Sequence, residues 1–238
     1  MFKQATFAIA GATAIAIGSA GAAEAITLGA IQAGGGSFNA NGITYSNFTC
    51  ELTTSSLGSE LLLPNSCDEI NVLGAFSGFN LAFQGPFSAT NLGSSGTAFI
   101  DALIGFDVMF DDNSMIDSLG LAFNGAIQGT AIASVTETAF DMGGNIIGQL
   151  FVTNSPLGSD LQDPALETGD FNLLNPVSQL RVEKNILLQA GPGGSAQISL
   201  IGQNYESVAV PEPISALPLV ALGAVAAGRT VLKKKALV

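Results

Sequence analysis

The sequence predicts an all-β fold for residues 26–209, an antiparallel β-sandwich or jelly-roll-like domain. Short segments in this range alternate apolar and polar residues with a period of two. Clusters of Gly, Asn, Ser, Asp and Pro separate these segments. No stretch of about ten residues shows the 3.6-residue period of an amphipathic helix. Together these patterns are typical of two antiparallel sheets that share one core.

Residues 1–25 are predicted to be a secretory signal peptide. Lys3 supplies the positive charge, and an uncharged, mostly apolar stretch follows. Ala23 and Ala25 place small residues where signal peptidase cleaves. The alternative is an apolar helix that stays attached, but its Ala- and Gly-rich composition favours cleavage. We therefore expect an exported protein.

Eight segments between the two ends carry the strand pattern. In one of them, "IGFDVMF", Ile104, Phe106 and Val108 share a face. In another, "SQLRVEKNILLQ", Lys184 interrupts an otherwise apolar face. Residues 154–176 lack the pattern and are predicted to form a long loop with a short helix near Pro164. The predicted strands lie within 42–50, 79–85, 104–110, 118–125, 129–140, 145–153, 178–189 and 196–205.

Two cysteines, Cys50 and Cys67, are predicted to form a disulfide bond. An even number of cysteines in an exported protein usually oxidises. The alternative, a reactive thiol, would need a basic neighbour to stabilise its thiolate, and neither cysteine has one in the nearby sequence.

The C-terminal segment is predicted to cross a membrane once. From Ile214 to Leu232 the only charged residue is Arg229, and a helix of this length would span about 28 Å, close to the hydrocarbon thickness. The positive-inside bias places the terminal basic cluster in the cytoplasm and the preceding domain outside. That cluster consists of Lys233, Lys234 and Lys235.

A short motif, "VPEP", precedes this helix. Together with the helix and the basic cluster, it resembles the PEP-CTERM sorting signal of Gram-negative bacteria. The resemblance implies processing by an exosortase, a membrane-embedded cysteine-type transpeptidase. It also implies a fate in the cell envelope, at the cell surface or in an extracellular polysaccharide matrix. The positions carried over are Val210, Pro211, Glu212, Pro213, Arg229 and Lys233–Lys235.

Two features qualify this resemblance. Residues 236–238 follow the lysines, and Arg229 stands apart from them, which departs from the family pattern. The alternative is a plain single-span anchor. Fragments such as "SNFTC", "SVTET" and "RVEKNILL" resemble stretches of cyanobacterial PEP-CTERM proteins. The domain organisation that follows is a signal peptide (1–25), a β-sandwich ectodomain (26–209) and a sorting signal (210–238).

The composition excludes several classes of function. The chain has 19 acidic and 7 basic residues, and of the basic ones only Arg181 and Lys184 lie within 26–209. Such a surface repels nucleic acid. The absence of histidine removes Ser-His and Cys-His nucleophile pairs and the usual zinc sites. Trp is absent and tyrosines are scarce, which disfavours a conventional lectin site.

Five aspartates close together in sequence are the candidates for acid–base or calcium chemistry. They suit a solvated acidic edge, and a pair of them could also serve a glycosidase. The cluster is also the best calcium candidate, because calcium takes several carboxylate and carbonyl oxygens as ligands. A second calcium candidate is an acidic group in the long loop, and no other cofactor is predicted. The five are Asp101, Asp107, Asp111, Asp112 and Asp117, the last three being the calcium candidates, and the second group is Asp160, Asp163, Glu167 and Asp170.

We expect a surface-sorted structural or matrix-associated protein without catalytic activity of its own. Its expected partners are signal peptidase, an exosortase and the membrane during export, and then extracellular polysaccharide. Two alternatives remain open at this stage. One is a calcium-dependent adhesin or glycan-binding module, and the other is a secreted glycoside hydrolase that uses a carboxylate pair.

The first testable prediction concerns the tail. Glu212→Ala should leave the unprocessed precursor in the membrane fraction of the native host, because Glu212 lies in the extended Pro-Glu-Pro stretch that a membrane peptidase would grip. Fractionation and immunoblotting measure this. Wild-type chain should accumulate in the same fraction in a host without an exosortase. Mature wild-type chain that keeps residues 214–238 in its native host would contradict the prediction.

Overall fold

The computed structural model describes residues 25–55, 60–76, 78–154 and 165–209. The predicted cleavage residue Ala23 and the whole predicted sorting signal, 210–238, lie outside these residues, so both interpretations stay predictions. Within the described part of the chain, no helix is long and apolar enough to span a bilayer.

The described chain is built almost entirely of antiparallel strands. One short helix, α1 (Leu28–Ala33), and one 3-10 helix (Cys67–Glu69) accompany them. The strands are β1 (Ile26–Thr27), β2 (Phe38–Ala40), β3 (Ile43–Ser55), β4 (Glu60–Leu63), β5 (Asn71–Phe76), β6 (Phe79–Gln84), β7 (Phe87–Asn91), β8 (Ala98–Phe110), β9 (Met115–Gln128), β10 (Ala131–Phe140), β11 (Ile146–Asn154), β12 (Ala165–Val177), β13 (Gln179–Ala190) and β14 (Ser195–Val208).

These strands form two sheets that share one core, which confirms the predicted all-β class. The six-stranded sheet has the order β11-β10-β13-β8-β3-β2. In the eight-stranded sheet, β14 pairs with β6 and β7 on one side and with β9 on the other. Consecutive strands β8 and β9, and again β13 and β14, belong to different sheets, so the chain crosses between layers at these points.

The core forms because the predicted alternation points one face of each long strand inward. In β8 the residues Ile100, Ile104 and Phe106 are fully buried, and Phe123 of β9 is buried opposite them in the shared cluster. Aromatic rings fill the centre, where the ring centroids of Phe48 and Phe106 lie 5.3 Å apart. Burial of large apolar side chains of this kind is the main stabilising contribution to such a fold.

The predicted loop over 154–176 is wrong in its second half. Residues 165–177 form β12, which among the described strands pairs with β9 and therefore lies at a sheet edge. The predicted short helix near Pro164 falls outside the described residues. An edge strand tolerates the polar residues and the Asn175-Pro176 pair that hide its alternation, because its outer hydrogen-bonding groups need no partner strand. The short strands β1, β2, β4, β5 and β7 were also outside the predicted set.

The disulfide between Cys50 and Cys67 is confirmed, with a Cα–Cα distance of 6.2 Å. Cys50 belongs to β3 of the six-stranded sheet. Cys67 begins the 3-10 helix that connects β4 and β5 of the eight-stranded sheet. The bond therefore ties the two layers together near the middle of β3.

Removing this bond should destabilise the domain. The double variant Cys50→Ala/Cys67→Ala of residues 26–209 should lose about 3 kcal/mol of unfolding free energy, because closing a loop of this size restricts the unfolded chain. Urea unfolding followed by circular dichroism measures the loss. Reductant should lower the midpoint of the wild type and leave that of the double variant unchanged. Equal midpoints for variant and oxidised wild type would contradict the prediction.

Candidate functional site

The outer face of the six-stranded sheet carries the first candidate site. Because alternate residues point inward, the odd-numbered residues of β8 and β13 point outward. Strand pairing in register then aligns outward side chains from five strands in a row about 19 Å long. This central row consists of Glu51, Leu103, Asn185, Thr136 and Phe151, from β3, β8, β13, β10 and β11 in that order.

The central row combines an apolar ring with planar polar groups. Phe151 is 61% exposed, which is unusual for an aromatic side chain on a strand. Asn185 is half-buried, and its Nδ2 donates to Oδ1 of Asp101 at 2.7 Å, so its amide plane is fixed. An exposed apolar ring two strands away from an oriented amide and carboxylate can hold a ligand that has both an apolar face and hydroxyl groups.

A second polar cluster adjoins this row and surrounds Asp107. Asn47 donates to the Asp107 carboxylate at 2.7 Å, and Nη1 of Arg181 lies 4.0 Å from its other oxygen. Arg181 also donates from Nε to Glu183 at 3.2 Å. Gly105 lies beneath these groups, because a Cβ there would approach Oγ1 of Thr49 to 2.5 Å. Because Gly105 has no Cβ, the side chains of Thr49, Arg181 and Glu183 can pack directly above its backbone.

The carboxylates that the glycosidase alternative would need do not form a pair along β8. Asp101 and Asp107 share its outer face but lie six residues apart, about 20 Å along the strand. The carboxyl groups of a glycosidase lie within about 5–9.5 Å of each other. Asp111 is held by Asn39 and Thr44, which donate to it at 2.7 and 2.6 Å.

The three calcium candidates do not form a metal-binding group in the described part of the chain. Asp112 lies in the turn after β8, where hydrogen bonds from Ser114 lower the pKa of its carboxyl below the usual value. Asp117 is part of β9. Among the residues that the structure describes, no three Asp, Glu or Cys side chains converge into a metal-binding group. Of the second acidic group, Asp160 and Asp163 lie outside the described residues.

A second candidate lies between the sheets and was missed by the sequence analysis. Lys184 of β13 and Glu137 of β10 are opposite each other in register, and Gln203 of β14 faces them from the other sheet. Nζ of Lys184 donates to Oε2 of Glu137 and to Oε1 of Gln203. Nε2 of Gln203 donates to Oε1 of Glu137 at 2.9 Å. These three residues, the interior triad, are at most 1% exposed.

The surroundings of the interior triad are apolar. Burial lowers the pKa of Lys184, and the charge of Glu137 only partly opposes that shift. Two tyrosine hydroxyls, those of Tyr45 and Tyr205, are buried nearby without a hydrogen-bond partner among the described residues. Burial, and then the charge of Glu137, raise the pKa of Tyr205, and burial raises the pKa of Tyr45. The triad is therefore screened from bulk solvent.

One sequence signal pointed to the triad. Lys184 interrupts the inner face of a predicted strand, and the structure confirms that it points inward. Its partners could not be found in this way, because Glu137 and Gln203 lie 47 and 19 residues away.

No protein-family model and no curated protein matches the sequence. Solved structures give weak likenesses. One is a family 61 carbohydrate-binding module in complex with β-1,4-galactotriose, at 10% identity and a TM-score of 0.33, covering 66% of this chain and 88% of that one. Another is a family 36 module in complex with calcium and xylotriose, at 11% identity and a TM-score of 0.26, covering 66% and 99%.

A further likeness is the enzymatically active domain of tailspike protein 4 of bacteriophage CBA120. It has 14% identity and a TM-score of 0.34, and covers 68% of this chain but only 20% of that one. TM-scores this low carry no argument about the ligand or the activity of this chain.

Removing the buried carboxylate of Asp107 should lower the stability of the folded domain. Asp107→Ala should lower the unfolding free energy by about 1–3 kcal/mol, because Asn47 and Arg181 lose a charged partner that is only 4% exposed. Glu206→Ala, at an exposed position of β14, is the matched control and should change it by no more than about 0.5 kcal/mol. Urea unfolding compares the two, and an equally small loss in both variants would contradict this role for Asp107.

Proposed function

We propose that the chain is an exported, non-catalytic β-sandwich protein that binds polysaccharide through the outer face of its six-stranded sheet. The single observation that carries this proposal is the central row, in which an exposed phenyl ring and an oriented amide lie two strands apart on one long face. The proposal takes the glycan-binding alternative of the sequence analysis over a purely structural role.

The chemistry of sugars matches this face. A sugar ring has apolar C–H faces and a rim of hydroxyl groups, each of which can donate and accept hydrogen bonds. Phe151 offers the apolar surface for such a ring face. Asn185, Arg181 and Glu183 offer planar groups that can bind two neighbouring hydroxyls at once.

The length and rigidity of the face also favour a polymer. About 19 Å separates the ends of the central row, which is longer than a single sugar ring needs. The Asn185 amide is already held by Asp101, so it has little side-chain freedom to lose on binding.

Export is part of the same proposal. The Cys50–Cys67 bond supports an oxidising compartment. The predicted signal peptide and PEP-CTERM-like tail would bring the domain through signal peptidase and an exosortase to the surface or matrix of a Gram-negative-type bacterium. There the polysaccharide that the face would bind is abundant.

The proposal predicts which substitutions weaken binding. Phe151→Ala and Asn185→Ala should each lower the affinity for the producing organism's extracellular polysaccharide about tenfold, since one loses apolar contact and the other a hydrogen-bonding group worth about 1 kcal/mol or more. Affinity electrophoresis or calorimetry on the purified protein measures the change.

Matched controls come from β12 on the other sheet. Leu174→Ala removes a side chain that is 95% exposed, and Asn172→Ala removes an exposed amide. Both should leave affinity unchanged. If the wild-type protein does not bind this polysaccharide at all, the binding proposal is wrong and the structural role of the ectodomain is favoured. If the two control variants lose as much affinity as Phe151→Ala and Asn185→Ala, the polysaccharide does not bind at the outer face of the six-stranded sheet.

A further inference from the structure

The interior triad has a geometry that the polysaccharide-binding proposal does not use. A lysine amine, a carboxamide and a carboxylate meet in a closed ring of three hydrogen bonds, with each group touching the other two. Leu81 and Leu121 flank Gln203 on the neighbouring strands, and Leu150 lies opposite Glu137. A nucleophile, an acyl group and a proton acceptor therefore lie together in an apolar site that is screened from bulk solvent.

We propose that Lys184 and Gln203 join in an intramolecular isopeptide bond, with Glu137 as the catalytic residue that moves the protons. Nζ of Lys184 attacks Cδ of Gln203. The Nζ–Cδ bond forms and the Cδ–Nε2 bond breaks. Nζ of the lysine ammonium loses two protons to the Glu137 carboxylate. One of them passes on to Nε2, so that neutral ammonia departs, and the other stays on Glu137 as a carboxylic acid. No oxidant or other reactant is needed.

The contacts assign these roles individually. One carboxylate oxygen of Glu137 accepts from Nζ, the nitrogen that must lose protons. The other oxygen accepts from Nε2, the nitrogen that must gain one. Nζ meanwhile contacts Oε1 of Gln203, the oxygen bonded to the carbon under attack. A general acid–base group needs this hydrogen-bond reach to the atoms whose protons it moves.

Burial favours the reaction in two ways. It lowers the pKa of Lys184, which makes the neutral, nucleophilic amine easier to reach by transfer of a proton to Glu137. It also screens the acyl carbon from the bulk water that would otherwise compete for it. Strands β13 and β14 already hold Lys184 and Gln203 in contact. The entropic cost of bringing an amine to an amide is therefore met by folding and does not add to the barrier of the reaction.

Gln203 rather than Glu137 is the acyl partner. A carboxylate carries negative charge and resists attack by a nucleophile, whereas the carboxamide is neutral. The two reactions differ in their product, since a Lys184–Gln203 bond releases ammonia and a Lys184–Glu137 bond would release water. Their masses therefore distinguish them.

The bond would tie β13 of the six-stranded sheet to β14 of the eight-stranded sheet. Its two residues are 19 positions apart. The tie differs in chemistry from the Cys50–Cys67 bond, which responds to reductant, although Cys50 lies only two strands from Lys184 in the same row of the six-stranded sheet.

The test is a peptide map of the full chain. Purified wild-type chain is denatured, reduced, alkylated and digested with chymotrypsin, which cuts after Leu187, Leu188 and Leu200, between the two partners. We expect the peptides that contain Lys184 and Gln203 to remain joined, at a combined mass lower by one ammonia. Trypsin should also fail to cut after Lys184, whereas it should cut after Arg181.

Two variants serve as references. The Lys184→Arg variant lacks the amine and cannot form the bond. Its digest therefore provides the reference mass of the unlinked peptide that contains Gln203. Glu137→Gln keeps the size of the side chain and removes the proton acceptor, so the joined fraction should fall at least tenfold, with a β-sheet circular dichroism spectrum showing that the chain has folded. Separate, unmodified peptides from the wild type overturn the proposal, whether or not the variants fold. A water-loss link to Glu137 overturns the assignment of Gln203, and full joining in folded Glu137→Gln overturns the role of Glu137.

Discussion

The structure depends on a polar contact in the middle of an apolar core. Moving a lysine and a glutamate from water into a protein interior is costly unless each finds good partners. Lys184 meets that condition only when β10 lies beside β13 in one register and when β14 presents Gln203 from the opposite sheet. A shift of one residue in any of these strands would turn a buried charge toward leucines or toward solvent. The interior triad therefore specifies both the strand register and the packing of the two layers.

The same alternation divides the functions of the two faces. Inward residues of β8, β10 and β13 are apolar except at the triad, so the sheet is rigid where it packs. Outward residues do not pack in the core, and here they carry the acidic and amide groups of the central row and of the Asp107 cluster. A rigid sheet holds such groups at fixed spacing, which is the condition for binding a repeating polymer with little loss of side-chain entropy.

Much of the fold could be predicted from the sequence, because a period of two is a local signal. The long strands β8, β9, β10 and β13 and the inward direction of Lys184 follow from it, and the disulfide follows from the cysteine count. The edge strand β12 could not be predicted, since an edge position needs no regular apolar face. The central row could not be predicted either. It exists only after five strands pair in register, and residues 51, 103, 136, 151 and 185 have no common signal in the sequence.

The Cys50–Cys67 disulfide and the interior triad both link the two sheets, but they form under different conditions. The Cys50–Cys67 bond forms wherever an oxidant is present, and its loop restricts the unfolded chain. The interior triad needs no oxidant, but it assembles only after β10, β13 and β14 have met, so a bond formed there could not guide folding and could only lock a finished core. Such a bond would also remove the cost of a buried charge pair, because a neutral amide and a protonated Glu137 would replace the buried ammonium and carboxylate groups. The buried position of Lys184, costly for a plain ion pair, is favourable for this product.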